Sequence, residues 1–334
     1  MTKVEHLDVS IDVSGVPVEQ QALARTSVGQ LIDVGAMIAE KEGMRFPLQQ
    51  ILLSDQFEAE VDRLLQPRWG DARFRAVRRH ARAIAKTIWV QSEQGDVRFV
   101  VVIDALSVSP YRLDNPRFLV TMLHELGHVL REESHLKRLG KQAFTAIPAT
   151  REQWLSNWAK IIIDEFDVDR LVDTLLRRLA TTDGGRPLSL RNVEDAECFD
   201  WIGALLDGLG ALPRVVDQSV WGYRTRSMQI DELAESVIPE VNGVLTLLSH
   251  TAAIYMDTER WPDIATRVAE TEASRRFLRE HQETILGRLG SRAESLEDAI
   301  AAVSEAIEAV FRNCGLRFET VPEGVYIAVD PPAN

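Results

Sequence analysis

Residues 115–134 read NPRFLVTMLHELGHVLREES, and they constrain the chain more than any other stretch. Phe118, Leu119, Met122, Leu123, Leu126 and Val129 recur at spacings of three and four, the pattern of a helix with one face in a core. Pro116 suits the first helical turn, and Asp114 or Asn115 can cap it. His124, Glu125 and His128 fall on or beside the apolar face. Titratable groups there cost free energy unless they are paired or bind something.

Four residues apart on a helix, His124 and His128 project from one face, one turn apart. That spacing lets two imidazoles bind one zinc ion. Glu125, beside the first of them, can reach a water that zinc has made acidic and take its proton. Gly127 removes a side chain where a strand or a substrate can approach. The plainer alternative is two satisfied core or boundary histidines.

A zinc site of this kind needs a third protein ligand and an open position for water. A second long helix is expected over 150–179, with Thr150 as cap and Gln153 three residues on. On it, Glu165 and Asp169 share a face with Trp158, Ile162, Val172 and Leu176. Binding a metal would offset the cost of a carboxylate on an apolar stripe, so Glu165 is the candidate third ligand. Asp169, one turn on, can accept the other ring N–H of a ligand histidine. Asp164 competes with Glu165 from one residue out of phase. The alternative is an acidic helix surface, with Asp167 and Arg170 as its solvated members.

Around these helices the pattern is mixed. Residues 1 to about 20 look extended and polar. A helix over 20–42 ends at Gly43, and a strand is expected over 46–55, followed by a helix over 56–66. AKTIWVQSEQGDVRFVVVID reads as a hairpin about Glu93-Gln94-Gly95-Asp96. TTDGGRP, 181–187, reads as a linker. Helices are expected beyond it at about 194–209, 229–258, 262–289 and 293–313, and then a hairpin about Pro322-Glu323-Gly324. The expected fold class is α+β. A 1–44 extension precedes a 45–180 core of small mixed sheet, HELGH helix and glutamate helix. A mostly helical 188–334 domain follows.

Charge narrows the partners. The 334 residues carry a net charge of -13, which argues against nucleic acid or anionic membrane bound through the whole surface. RFRAVRRHARAIAK, 73–86, is a local exception, read either as a solvated helix face or as a docking patch for an acidic partner. Cys198 and Cys314 read as two buried free thiols. The first residues do not resemble a secretory signal, and no stretch reads as a membrane span. A cytoplasmic protein is expected, with its oligomeric state open.

HELGH at 124–128, followed by Glu165-Phe166-Asp167-Val168-Asp169, resembles the HExxH…ExxxD arrangement of thermolysin-like zinc peptidases, the gluzincins. Over residues 45–180 the layout is most similar to the small cytoplasmic ImmA/IrrE-type metallopeptidases. The resemblance implies a zincin-like core and an endopeptidase. His124, His128 and Glu165 would bind Zn2+, Glu125 would be the general base, and Asp169 would orient His124. It also implies an oxyanion donor from outside the motif, for which Tyr111, Tyr223, His250 and Tyr255 are the available types. The edge strand expected to hold a peptide is VRFVVVID. Two other readings stay open: a regulatory or defence protease that cuts one partner such as a repressor, and a zinc-stabilised binding protein without turnover.

Overall fold

The computed structural model describes residues 2–4, 7–69, 83–91, 95–140, 148–180, 189–195, 199–291, 295–322 and 324–330. The chain forms two compact units. Unit 1 holds the chain up to Gly140, together with Leu171–Phe199. Unit 2 holds Pro148 to Arg170 and the chain from Asp200 onward. The class is mixed, with a small sheet and a mostly helical remainder, in keeping with α+β.

Unit 1 is built on a five-stranded sheet in the order β1-β2-β3-β5-β4, from β1 (Thr2–Val4), β2 (Val9–Asp12), β3 (Leu48–Ser54), β4 (Ala85–Gln91) and β5 (Val97–Asp104). The β2–β3 and β3–β5 pairs are parallel, and the two outer pairs are antiparallel. β5 is flanked on both sides and covered on both faces, so its sequence is an almost unbroken apolar run. On one face Leu52, Ile88, Val100 and Val102 pack with Phe57 and Val61 of α2 (Phe57–Trp69). α1 (Val18–Lys41) packs against α3 (Pro116–Leu139), and α3 in turn lies on β4 and β5. At Gly35 an added Cβ would stand 2.8 Å from the Phe46 ring, so glycine permits that approach.

Two ties hold the loop after α1 to the far half of α3. Lys137 Nζ donates to the Gly43 carbonyl at 2.9 Å. Arg45 pairs with Glu133 through Nε at 2.9 Å and Nη2 at 3.2 Å. Glu133 is wholly buried, whereas the Arg45 side chain is 59% exposed. Arg45→Ala should therefore cost about 2 kcal/mol, because it strands a buried carboxylate. Urea unfolding at neutral pH checks this; a loss under about 0.5 kcal/mol would mean that the pair behaves as a surface ion pair.

The first forty-four residues are not a separate extension. Val9, Ile11 and Val13 are buried, and β2 pairs with β3 inside the sheet. The second expected boundary also moves. The helix expected over 150–179 is α4 (Arg151–Ala180), capped as expected by the Thr150–Gln153 pair, but it runs through the division between the units. The basic stretch 73–82, the turn residues Glu93 and Gln94, the 181–187 linker and Cys198 lie outside the described residues. Ala85 and Lys86, where the basic stretch runs into the expected hairpin, belong to β4.

In unit 2, α6 (Trp201–Arg224) and α7 (Ile230–Tyr255) pack as a pair. A short helix, α5 (Leu190–Asp195), belongs to unit 1. The helix expected to end near 209 continues through Pro213 to Arg224 and starts at an Asp200 cap. The one expected over 262–289 is divided into α8 (Trp261–Ala269), a π-helical turn at Ser274–Leu278 and α9 (Arg279–Gly290). Asn313 Nδ2 donates to the Phe277 carbonyl at that break, at 2.8 Å. α10 (Leu296–Asn313) carries the closing hairpin of β6 (Leu316–Val321) and β7 (Gly324–Val329). Phe311 and Phe318 enclose Trp158 of α4, with ring centroids 5.0–5.4 Å apart. Cys314 is a buried free thiol, its pKa pushed up to about 12 by burial.

Contrary to the expectation of no membrane-span candidate, α7 is long and apolar enough to cross a membrane by length and composition. Its most apolar 18-residue window has a mean hydropathy of 1.2 and is 61% buried, the pattern of a core helix.

Candidate metal centre

Within unit 1, two imidazoles stand on α3. Asn115 caps α3 by accepting the Arg117 N–H, and its Nδ2 donates to the Val108 and Pro110 carbonyls. The entry of the helix is thereby fixed two turns before the motif. His124 and His128 stand half-buried one turn apart, with their Nε2 atoms 3.1 Å from each other and their rings nearly perpendicular. Tetrahedral zinc with Zn–N bonds of about 2.0–2.1 Å spaces two ligand nitrogens about 3.3 Å apart, so this pair fits a shared zinc ion. The same distance fits an N–H···N hydrogen bond between the two rings.

Between the histidines, Glu125 turns to the sheet. It is only 6% exposed. Thr87 Oγ1, on β4, donates to Glu125 Oε2 at 2.6 Å and lies 3.2 Å from the Glu125 carbonyl. β4 alternates, so Ile88 enters the α2 cluster while Thr87 takes the opposite face, towards α3. Sequence reading missed Thr87. Its signal was a hydroxyl beside the apolar run Ile88-Trp89-Val90, but nothing local indicates which carboxylate it meets.

Within unit 2, carboxylates of α4 and an imidazole of α7 lie together. On α4, Glu165 is partly buried, while Asp164 and Asp169 are 3% and 2% exposed. Asp169 Oδ2 lies 2.6 Å from His250 Nδ1 on α7, and His250 Nε2 lies 3.7 Å from Glu165 Oε2. Ser249 sets this geometry: it is wholly buried, and its hydroxyl donates to the Ile162 carbonyl at 2.6 Å, latching α7 to α4 one residue from His250. Arg170, expected at the solvated surface, is half-exposed and pairs with Asp257 at 2.6 Å.

Of the remaining oxyanion candidates, Tyr111 is wholly buried. Its hydroxyl donates to the Ala105 carbonyl at 3.0 Å, and burial raises its pKa. That is a structural role. Tyr255 is also wholly buried, with the Arg260 guanidinium 4.9 Å from its ring centroid. Tyr223 stands half-buried near the end of α6.

The strand expected at the sheet edge is not there. VRFVVVID is β5, paired on both sides by β3 and β4, so its backbone groups are committed. β4 is the edge.

Compared with family models, curated proteins and solved structures, the chain matches none.

Proposed function

We propose that the protein is a zinc-dependent endopeptidase with a zincin-like core, in which His124, His128 and Glu165 hold the metal. The observation that carries the reading is the convergence of the two Nε2 atoms at 3.1 Å beside a buried glutamate. A purely structural zinc site has no use for a base there. Two imidazoles and a carboxylate are a donor set suited to zinc. Bound zinc would supply a Lewis acid that polarises the scissile carbonyl and acidifies a water.

The chain's own residues do the rest. Glu125 accepts a proton from the attacking water and passes it to the leaving amine. The outer edge of β4 offers backbone groups to an extended peptide by strand addition. Among the oxyanion candidates His250 has the best support: Asp169 holds its Nδ1, and its Nε2 faces the Glu165 carboxylate. As an imidazolium it would donate to the developing oxyanion. Asp169 can also orient a ligand histidine. The acidic net charge favours restriction to one protein substrate in the cytoplasm over general proteolysis.

Metal content tests the ligand set. In chains purified without added metal, zinc should be near one per chain, should fall well below that in Glu165→Ala, and should persist in Glu125→Gln. A metal-free natural chain, or full retention in Glu165→Ala, overturns the ligand set. Casein added without a partner separates the two protease readings: cleavage counts against restriction to one substrate.

A further inference from the structure

We infer that Thr87 is a positioning residue, which clamps Glu125 to the edge strand β4 so that one carboxylate oxygen is spent on the clamp and the other is aimed at the reacting water. The inference rests on the peptidase reading of the site and adds a residue that neither the HELGH motif nor the glutamate helix contains.

Three observations support it. First, the contact is short. Thr87 Oγ1 has one proton and two acceptors in reach, and the 2.6 Å distance to Glu125 Oε2 against 3.2 Å to the carbonyl assigns the proton to the carboxylate. Second, the clamp falls on one oxygen. Among the described residues Glu125 Oε1 accepts no hydrogen bond, so it keeps its lone pairs for a proton. Third, the clamp belongs to the strand that would seat the peptide. Thr87 is the third of seven residues in β4 and, among the described residues, is paired only to Val101 on the inner side. A peptide laid along the outer side of β4 and the base are then both held by one strand, so they share a frame of reference. A glutamate side chain has three rotatable bonds, and fixing it in the ground state removes an ordering cost from the reaction. A valine at 87 would keep the shape and lose the donor; a serine would keep the donor.

Acetohydroxamate is a suitable probe, because it chelates zinc and also places a proton against the base. Ethanethiol is the control, because its thiolate binds zinc and it carries no second proton to place against Glu125. Both affinities are measured by calorimetry on the zinc-loaded natural chain, Thr87→Val and Thr87→Ser, with zinc content recorded for each. We expect Thr87→Val to bind acetohydroxamate roughly tenfold more weakly, the loss of one charge-assisted hydrogen bond. It should bind ethanethiol as the natural chain does, and Thr87→Ser should restore acetohydroxamate affinity. Equal acetohydroxamate affinity in Thr87→Val and the natural chain overturns the inference. So does equal weakening for both probes, failure of Thr87→Ser to restore binding, or loss of zinc from Thr87→Val, since each makes Thr87 structural. If the natural chain holds no zinc, the peptidase reading itself fails, which is a separate result.

Discussion

Glu125→Gln is expected to lower peptide turnover by roughly 10²–10⁴-fold, the usual range for loss of a positioned acid–base group, while bound zinc stays near one per chain. The two halves of this result come from different atoms. Metal binding is proposed for the imidazoles of His124 and His128 and the carboxylate of Glu165, none of which the substitution touches. Proton transfer is proposed for the Glu125 carboxylate, and an amide cannot take a proton from water at neutral pH. Glutamine also keeps the local packing: its carbonyl oxygen can still accept from Thr87 Oγ1, which holds Oε2 at 2.6 Å in the natural chain. The substitution therefore separates chemistry from folding. The readout is cleavage of casein, or of peptides chosen from a mixed library, beside zinc analysis of the same preparations. Retention of turnover within about twofold would remove Glu125 from the base role and return the site to a metal-binding function. Loss of zinc together with activity would instead make Glu125 part of the metal's support.

The parts of this site that could be read from the sequence are those set by spacing along one helix. His124 and His128 meet because four residues make one turn, and Asn115 before Pro116 marks where that turn count begins. The helix bearing Glu165 and Asp169 was legible in the same way, down to the Thr150–Gln153 cap. What was not legible depends on pairing between distant segments. Thr87 meets Glu125 across 38 positions. The hairpin of β4 and β5 was foreseen, but nothing in it says which strand β3 will join, and that choice put β4 rather than β5 at the edge. β2 is four residues long, too short for its alternation to stand out, and parallel pairing to β3 supplies the burial that makes it a strand. A helix was expected only to about 209, yet α6 continues and carries Pro213 buried in its middle. There packing outweighs propensity.

The largest expected loss of stability comes from a single methyl group added at Gly15. Gly15 follows β2 and crosses the end of β3, where its N–H donates to the Leu53 carbonyl at 3.2 Å. A Cβ there would lie 2.3 Å from the Asp55 nitrogen and 2.7 Å from both the carbonyl carbon and Cα of Ser54. These are main-chain atoms, so no side-chain rotation relieves the overlap. Moving them would disturb the Ala105 N–H to Ser54 carbonyl bond of 2.9 Å and the Ser54–Asp104 register that ends the β3–β5 ladder. Gly15→Ala should therefore cost about 3 kcal/mol or more, seen as a melting temperature lowered by roughly 6–12 °C. Gly29→Ala is the matched control. Gly29 lies within α1, and an added Cβ meets nothing within 4 Å. The same methyl group should there stabilise the helix by about 0.5–1 kcal/mol. Both are measured by thermal unfolding in the presence of a chelator, so that metal binding does not shift the comparison. Opposite signs for one chemical change would show that unit 1 depends on β2 lying close against the end of β3. If Gly15→Ala melts within 2 °C of the natural chain, that close approach is not what holds the first strands in the sheet.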